Sequence, residues 1–412
     1  MKRLVSILIV VLSILPLCVT AMELPNLYSN KVLLYDIEAK EILYDLDGDK
    51  VSNIASLTKI MTTITAIENI DNLDEKVVID SLVLREIPWD ASVAGLKLND
   101  EVTYRDLLYA SILPSGADAT TALAHNIAGS TKGFVELMNE EAVKIGLENT
   151  HFANVTGYDI DNHYSTTHDV LKLLLYSLDN PLFKEIYCTR DYTLTNGLEV
   201  KSTIAGYNRF LNADLSSILG SKTGYTGKSG MCMSAIIKTG GKELILITLG
   251  APYSFTFPYN LKDTMTILDY LDEHYNDEEL IQEGTDALAI PVVGSKEEEY
   301  VIKVPNSVHK YTEIGFDKDD VTVSYEGLKE ISYKNAKGSK LGELKFFFKG
   351  ELIDTQEVYL NESMHFSLYK FIKAHIIEIA FIILLLLAIR VFVIKRRKRR
   401  KRSHRVRRKV RR

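Results

Sequence analysis

Three cysteines in 412 residues are too few for a disulfide framework. Cys18 lies in an N-terminal apolar run, which leaves Cys188 and Cys232, both expected as free thiols with no catalytic part. His125, His151, His163 and His168 show no metal-ligand spacing, so they are read as structural and no metal is expected. Glycine pairs such as Gly240-Gly241 mark turns and do not form a phosphate-binding loop. The single tryptophan, Trp89, and the pair Tyr158-Asp159 fall where they rim a cleft or simply pack. There is no internal repeat, and no cofactor is implied.

Charge is unevenly spread. The net charge is −6, yet Lys395 to Arg412 holds fourteen Lys or Arg and no acid, so the rest of the chain is strongly acidic. An apolar run, Ile376 to Ile394, precedes this tail. As a helix it spans roughly 28 Å, the thickness of a bilayer core. Glu378 and Arg390 sit near its ends, where their charges reach water. Cations beside a span mark its cytoplasmic side. The tail is therefore expected inside the cell, with anionic lipid as a lesser partner and no nucleic acid.

The N-terminus agrees with an exported body. Residues 1–21 read as a signal peptide: Lys2 and Arg3, then a mostly apolar run from Leu4 to Val19, then small Thr20 and Ala21. An uncleaved anchor is the alternative. Bulky Leu17 argues against lipid attachment at Cys18.

Along the body, Lys31 to Leu46 reads as a β-hairpin. A helix starts near Ser56, with Ile60, Ile64 and Ile67 on one buried face. Thr103 to Asp106 reads as a capping box opening a helix that stops at Pro114, and Ser115 to Asp118 is a loop. Helices are expected over Ala119 to Ala128 and Phe134 to Ile145, stopped by Gly129 and Gly146. Strands are expected over Leu219 to Thr226, Met231 to Lys238 and Glu243 to Gly250, and helix from Asp263 to Tyr270. Residues Asp277 to Gly284 read as an acidic linker, and Ala289 to Leu360 as short strands only. The expected fold is α+β. An antiparallel sheet with a helical cluster fills residues 25–275, and a small all-β domain fills 285–362. A transmembrane helix follows at 376–394, then a basic tail at 395–412.

Ser56 and Lys59 stand three apart at the start of a helix, so they share a face and the amine reaches the hydroxyl. A serine near free helix N–H groups is also an ordinary cap, so this pair alone does not establish chemistry. Two further elements follow on the same domain: Ser115-Gly116-Ala117, then Lys222-Thr223-Gly224. A serine hydroxyl needs a base to attack an amide, and a lysine is a base only when neutral. Lys222 is read either as the cation that lowers the Lys59 pKa or as the anchor for a substrate carboxylate.

In order and flanks these stretches resemble the serine-type D-alanyl-D-alanine carboxypeptidases, the low-molecular-mass penicillin-binding proteins. The resemblance is carried by Ala55 to Thr62, Pro114 to Ala119, Asn149 to Asn154 with Gly157, and Lys222 to Thr226. It covers roughly Leu27 to Tyr270 and implies a β-lactamase/transpeptidase-like fold. The implied activity trims peptidoglycan stem peptides through an acyl-Ser56 intermediate, with β-lactams acylating the same serine. Ser56, Lys59 and Ser115 would be catalytic. Lys222, Thr223, Gly224 and Tyr225 would bind substrate, with backbone N–H groups of Ser56 and Tyr225 as the oxyanion hole. Two positions depart from the family. Ala117 stands where an asparagine is usual, and Asn260 and Lys262 lie where an arginine often holds the substrate carboxylate. These departures motivate a rival, a weakened or non-catalytic wall-binding homologue. A β-lactamase is a further one, although no deacylating glutamate is placed by motif.

Overall fold

The computed structural model describes residues 22 and 24–410; the expected signal peptide lies outside them. The chain divides into two compact units. The larger holds residues up to Asp277 with Tyr311–Ile314, and the other holds Glu278–Lys310 and the chain from Gly315 onward.

In the larger unit, a hairpin of β1 (Lys31–Asp36) and β2 (Glu41–Leu46) joins three strands from late in the chain. These are β3 (Ile218–Thr226), β4 (Gly230–Thr239) and β5 (Lys242–Ala251). The sheet order is β2-β1-β5-β4-β3, antiparallel throughout. Strand β3 is therefore an edge. Gly240 and Gly241, with φ of 53° and 82°, make the tight turn between β4 and β5.

Alternation sorts the sheet's side chains between two cores. Leu33, Cys232, Ile236, Ile245 and Ile247 face a helical cluster. Val32, Leu34, Met233, Ala235 and Leu246 face the other side, together with Leu261, Ile267 and Leu271. Those last three belong to a helix running Tyr259–His274, longer at both ends than the expected Asp263 to Tyr270. Cys188 and Cys232 are free thiols.

The cluster is built around α1 (Thr58–Glu68). The sequence pattern predicts one buried face, but every residue from Thr58 to Ala66 is buried. Its hydroxyls make this affordable, because each finds a partner in the interior. Thr62 Oγ1 donates to Val155 O at 2.9 Å, and Thr63 Oγ1 lies 2.6 Å from Ser111 Oγ. Around it lie α2 (Tyr104–Ile112), α3 (Ala117–Ala128) and α4 (Thr131–Ile145). The Thr103/Asp106 capping box opens α2, and left-handed Gly129 and Gly146 close α3 and α4.

The second unit is mainly β. Val321–Gly327 pairs with Lys340–Phe348, which pairs with Glu351–Tyr359 across a turn at Lys349-Gly350. Leu344 and Phe346 pack with Ile290, Ile302 and Val358 in its core. The expected acidic linker is instead extended as a strand over Tyr275–Ile281. Tyr275 is buried and Ile281 is partly buried. The chain ends in a helix, Ile376–Val410, of which Ile376–Arg397 is long and apolar enough to cross a membrane and has no buried part.

Candidate active site

Ser56 sits in a single 3-10 turn, Ala55–Leu57, that runs directly into α1. Its predecessor Ala55 has φ of 46°, a left-handed conformation that costs a residue with a Cβ. Two glycines hold that strained turn by close approach. A Cβ on Gly157 would lie 1.9 Å from Ala55 O, and one on Gly224 would lie 2.7 Å from the Ser56 nitrogen. Gly157 comes from the loop after α4, and Gly224 from the edge strand β3. The Ser56 backbone is thus clamped between two distant parts of the chain.

Lys59 Nζ lies 3.0 Å from Ser56 Oγ and donates to Thr156 O at 2.9 Å. The side chain is only 2 % exposed. Burial pulls its pKa from 10.5 down to about 7, and the charge of Asp118 opposes that fall. The geometry suits a neutral amine. One N–H goes to Thr156 O, and the lone pair is left for the Ser56 hydroxyl proton. Asp118 does not neutralise Lys59 by contact. Its carboxylate accepts from the backbone N–H groups of Ala94, Gly95 and Leu96 at 2.8–3.0 Å.

Thr156 O is aimed by Asn154. The Asn154 Oδ1 accepts from the N–H groups of Thr156 and Gly157, and its Nδ2 donates to Tyr158 O. Asp159 ties the same loop to the end of β3, accepting from Thr226 Oγ1 at 2.8 Å and Lys228 N at 2.9 Å. Thr156 and Asp159 carry no motif of their own. The family resemblance took in Asn154 and Gly157, but nothing in the sequence marked a carbonyl as the partner of Lys59.

Lys222 is also fully buried, and its Nζ donates to Thr223 O at 2.6 Å. Burial, and then repulsion from Lys59, push its pKa well below the ordinary lysine range. Thr223 Oγ1 lies 2.6 Å from Thr203 Oγ1. Ser115 has φ of 62°, and its buried Oγ has no hydrogen-bond partner. An orphaned buried hydroxyl is costly unless a reacting partner arrives. The Ala117 methyl is fully buried, and the Ala117 N–H donates to Ser92 O at 2.8 Å.

The residues at the expected arginine region do not replace it. Asn260 is buried and donates to Cys232 O at 3.0 Å. Lys262 lines a separate cavity with Asp214, Ser217 and Asp269. Trp89 is 93 % exposed and so does not pack. Among the described residues no group of His, Cys, Asp or Glu is placed to hold a metal ion.

The family model for D-alanyl-D-alanine carboxypeptidases, Peptidase_S11, matches residues 18–253. The D-alanyl-D-alanine carboxypeptidase DacF of Bacillus subtilis is 28% identical over 378 residues, covering 88% of this chain and 95% of that one. The D-alanyl-D-alanine carboxypeptidase of Streptomyces sp. strain K15 is 33% identical over 242 residues, covering 55% of this chain and 81% of that one. Among solved structures, penicillin binding protein 5 from Haemophilus influenzae superposes with a TM-score of 0.60 at 25% identity, covering 84% of this chain and 99% of that one. The match covers more than half of the sequence, and the chain belongs to the D-alanyl-D-alanine carboxypeptidase family.

Proposed function

We propose that Ser56, activated by neutral Lys59, performs the acyl transfer by which this D-Ala-D-Ala carboxypeptidase trims peptidoglycan stem peptides. The Lys59 lone pair takes the Ser56 proton, and Oγ bonds to the carbonyl carbon of the penultimate D-Ala. The charge that develops on the carbonyl oxygen is met by the N–H groups of Ser56 and Tyr225. The C–N bond then breaks, and the leaving amine takes its proton through Ser115. Water enters, with Lys59 again as base, and hydrolyses the acyl ester. The open edge of β3 offers main-chain pairing to the peptide.

Lys222 and Thr223 receive the terminal carboxylate. An arriving carboxylate favours the charged form of Lys222, and that charge drives Lys59 further toward its neutral form. Substrate binding and base activation are therefore coupled. The Ala117 methyl withholds an amide contact worth about 1 kcal/mol, but it leaves the Lys59–Ser56 pair intact.

The observation that carries this reading is the 3.0 Å contact between a fully buried amine and the Ser56 hydroxyl. Mass spectrometry of peptides from penicillin-treated protein tests it. A β-lactam adduct on Ser56 is expected, and labelling elsewhere or none at all would remove the assignment. The Ile376–Arg397 helix supports a membrane-anchored enzyme with its catalytic unit outside the cell and its basic tail inside.

A further inference from the structure

Opposite charges line one cavity beside the loop that holds Lys59. It encloses about 350 Å³, and its walls include Glu86, Lys132 and Val135 of α4, and Tyr158 and Ile160 of the loop after α4. Glu86 is held in place by two neighbours. Thr131 Oγ1 donates to its Oε2 at 2.9 Å, and His125 Nε2 lies 3.2 Å from the same oxygen. Its Oε1 has no partner among the described residues. Lys132 is exposed and makes no ion pair among the described residues, so the two charges share one space without neutralising each other. The edge strand leads to this cavity. Lys222, Thr223, Tyr225 and Thr226 come in that order along β3. At its end, Thr226 Oγ1 and the Lys228 N–H donate to Asp159, which sits between Tyr158 and Ile160.

We propose that this cavity receives the side chain of the stem residue preceding the two D-alanines, and that it selects a side chain ending in both an ammonium and a carboxylate. The inference rests on the reading above, in which Lys222 and Thr223 receive the terminal carboxylate and the Tyr225 N–H meets the scissile carbonyl oxygen. Those contacts set the direction of the peptide along β3. Its acyl part continues past Tyr225 toward Thr226, and so toward the wall formed by Tyr158 and Ile160. An extended chain advances about 3.5 Å per residue, which brings the residue before the penultimate D-Ala opposite the end of β3. Glu86 Oε1 then accepts from the ammonium, and Lys132 donates to the carboxylate. Val135 and Ile160 cover the methylenes between them. A carboxylate already oriented by Thr131 loses little freedom when the ammonium arrives. A side chain with an amine alone meets only Glu86, and an uncharged one meets neither group.

The test is steady-state hydrolysis by the detergent-solubilised full chain of three peptides, acetyl-γ-D-Glu-X-D-Ala-D-Ala, with X as meso-diaminopimelate, L-lysine or L-norleucine. The expected kcat/KM falls at least about fivefold from the first to the second, and again from the second to the third, as one charge-assisted hydrogen bond is lost each time. Lys132→Ala should lower the diaminopimelate to lysine ratio at least about threefold, and Glu86→Gln should lower the lysine to norleucine ratio by as much. Glu136→Gln, one helical turn from Lys132 but outside the cavity lining, should leave both ratios in place. Ratios taken within one variant cancel any loss of folded protein. The inference is overturned if the three peptides are cleaved at equal rates, or if either ratio stays fixed in its own variant. Failure to cleave any of the three would overturn it together with the carboxypeptidase reading, which equal cleavage would leave standing.

Discussion

His163 Nε2 lies 2.7 Å from Thr58 Oγ1, one residue before the proposed base. The surrounding bonds fix the proton arrangement. Ala153 N–H donates to His163 Nδ1 at 3.1 Å, so Nε2 carries the ring proton and gives it to Thr58. Thr58 then donates to Ala55 O at 2.8 Å. This relay holds the left-handed Ala55 peptide that sets the Ser56 turn. It requires a neutral imidazole, and burial lowers the His163 pKa to about 4.

Stability should therefore fall in acid. The unfolded chain takes up this proton near pH 6.5, but the folded one does so only near 4. Between those values the unfolded state binds more protons, so stability declines as pH drops from about 6.5 to about 4. The expected loss is about 3 kcal/mol or less. Thermal unfolding of wild type and His163→Gln across that window checks it. The difference between the two should shrink toward pH 4.

Gly157→Ala should be among the most damaging substitutions of a single methyl. The φ of 84° disfavours any Cβ, and the added carbon would meet the Ala55 carbonyl oxygen, a backbone atom that cannot swing away. A cost of at least about 3 kcal/mol is expected, with loss of β-lactam labelling at Ser56 in any folded fraction. Chemical denaturation and a fluorescent penicillin measure the two effects.

Asp118→Asn separates structure from electrostatics. The carboxylate's attraction holds the Lys59 pKa up, so its removal should move the acylation inflection below pH 7. The amide cannot accept all the backbone N–H groups that Asp118 now satisfies, and about 2 kcal/mol of stability should go with them. A pH profile that stayed in place would mean that Asp118 does not act on Lys59.

Much of this architecture was legible in the sequence, because hydrophobic period and glycine positions carry it. The hairpin of β1 and β2, the capped α2 and the Gly240-Gly241 turn follow local rules, and the structure keeps them. The Ser56–Lys59 contact also follows from local spacing. What local rules miss comes from across the fold. The burial of α1 on all sides depends on threonine hydroxyls finding Val155 and Ser111. Thr156 matters through its carbonyl, which any residue supplies, and His163 matters through a bond 105 residues away in the chain. Lys262 shows the converse: nearness in sequence to a binding region placed it in another cavity.

The pH dependence of Ser56 acylation tests the central claim most directly. The second-order rate with a slowly reacting β-lactam, measured from pH 5 to 9 on the detergent-solubilised protein, should rise with pH and level off after an inflection near 7, as Lys59 loses its proton. Lys59→Arg, which stays charged, should lower the plateau at least about a hundredfold. A rate that is flat over that range, or that Lys59→Arg leaves intact, would show that this amine is not the base.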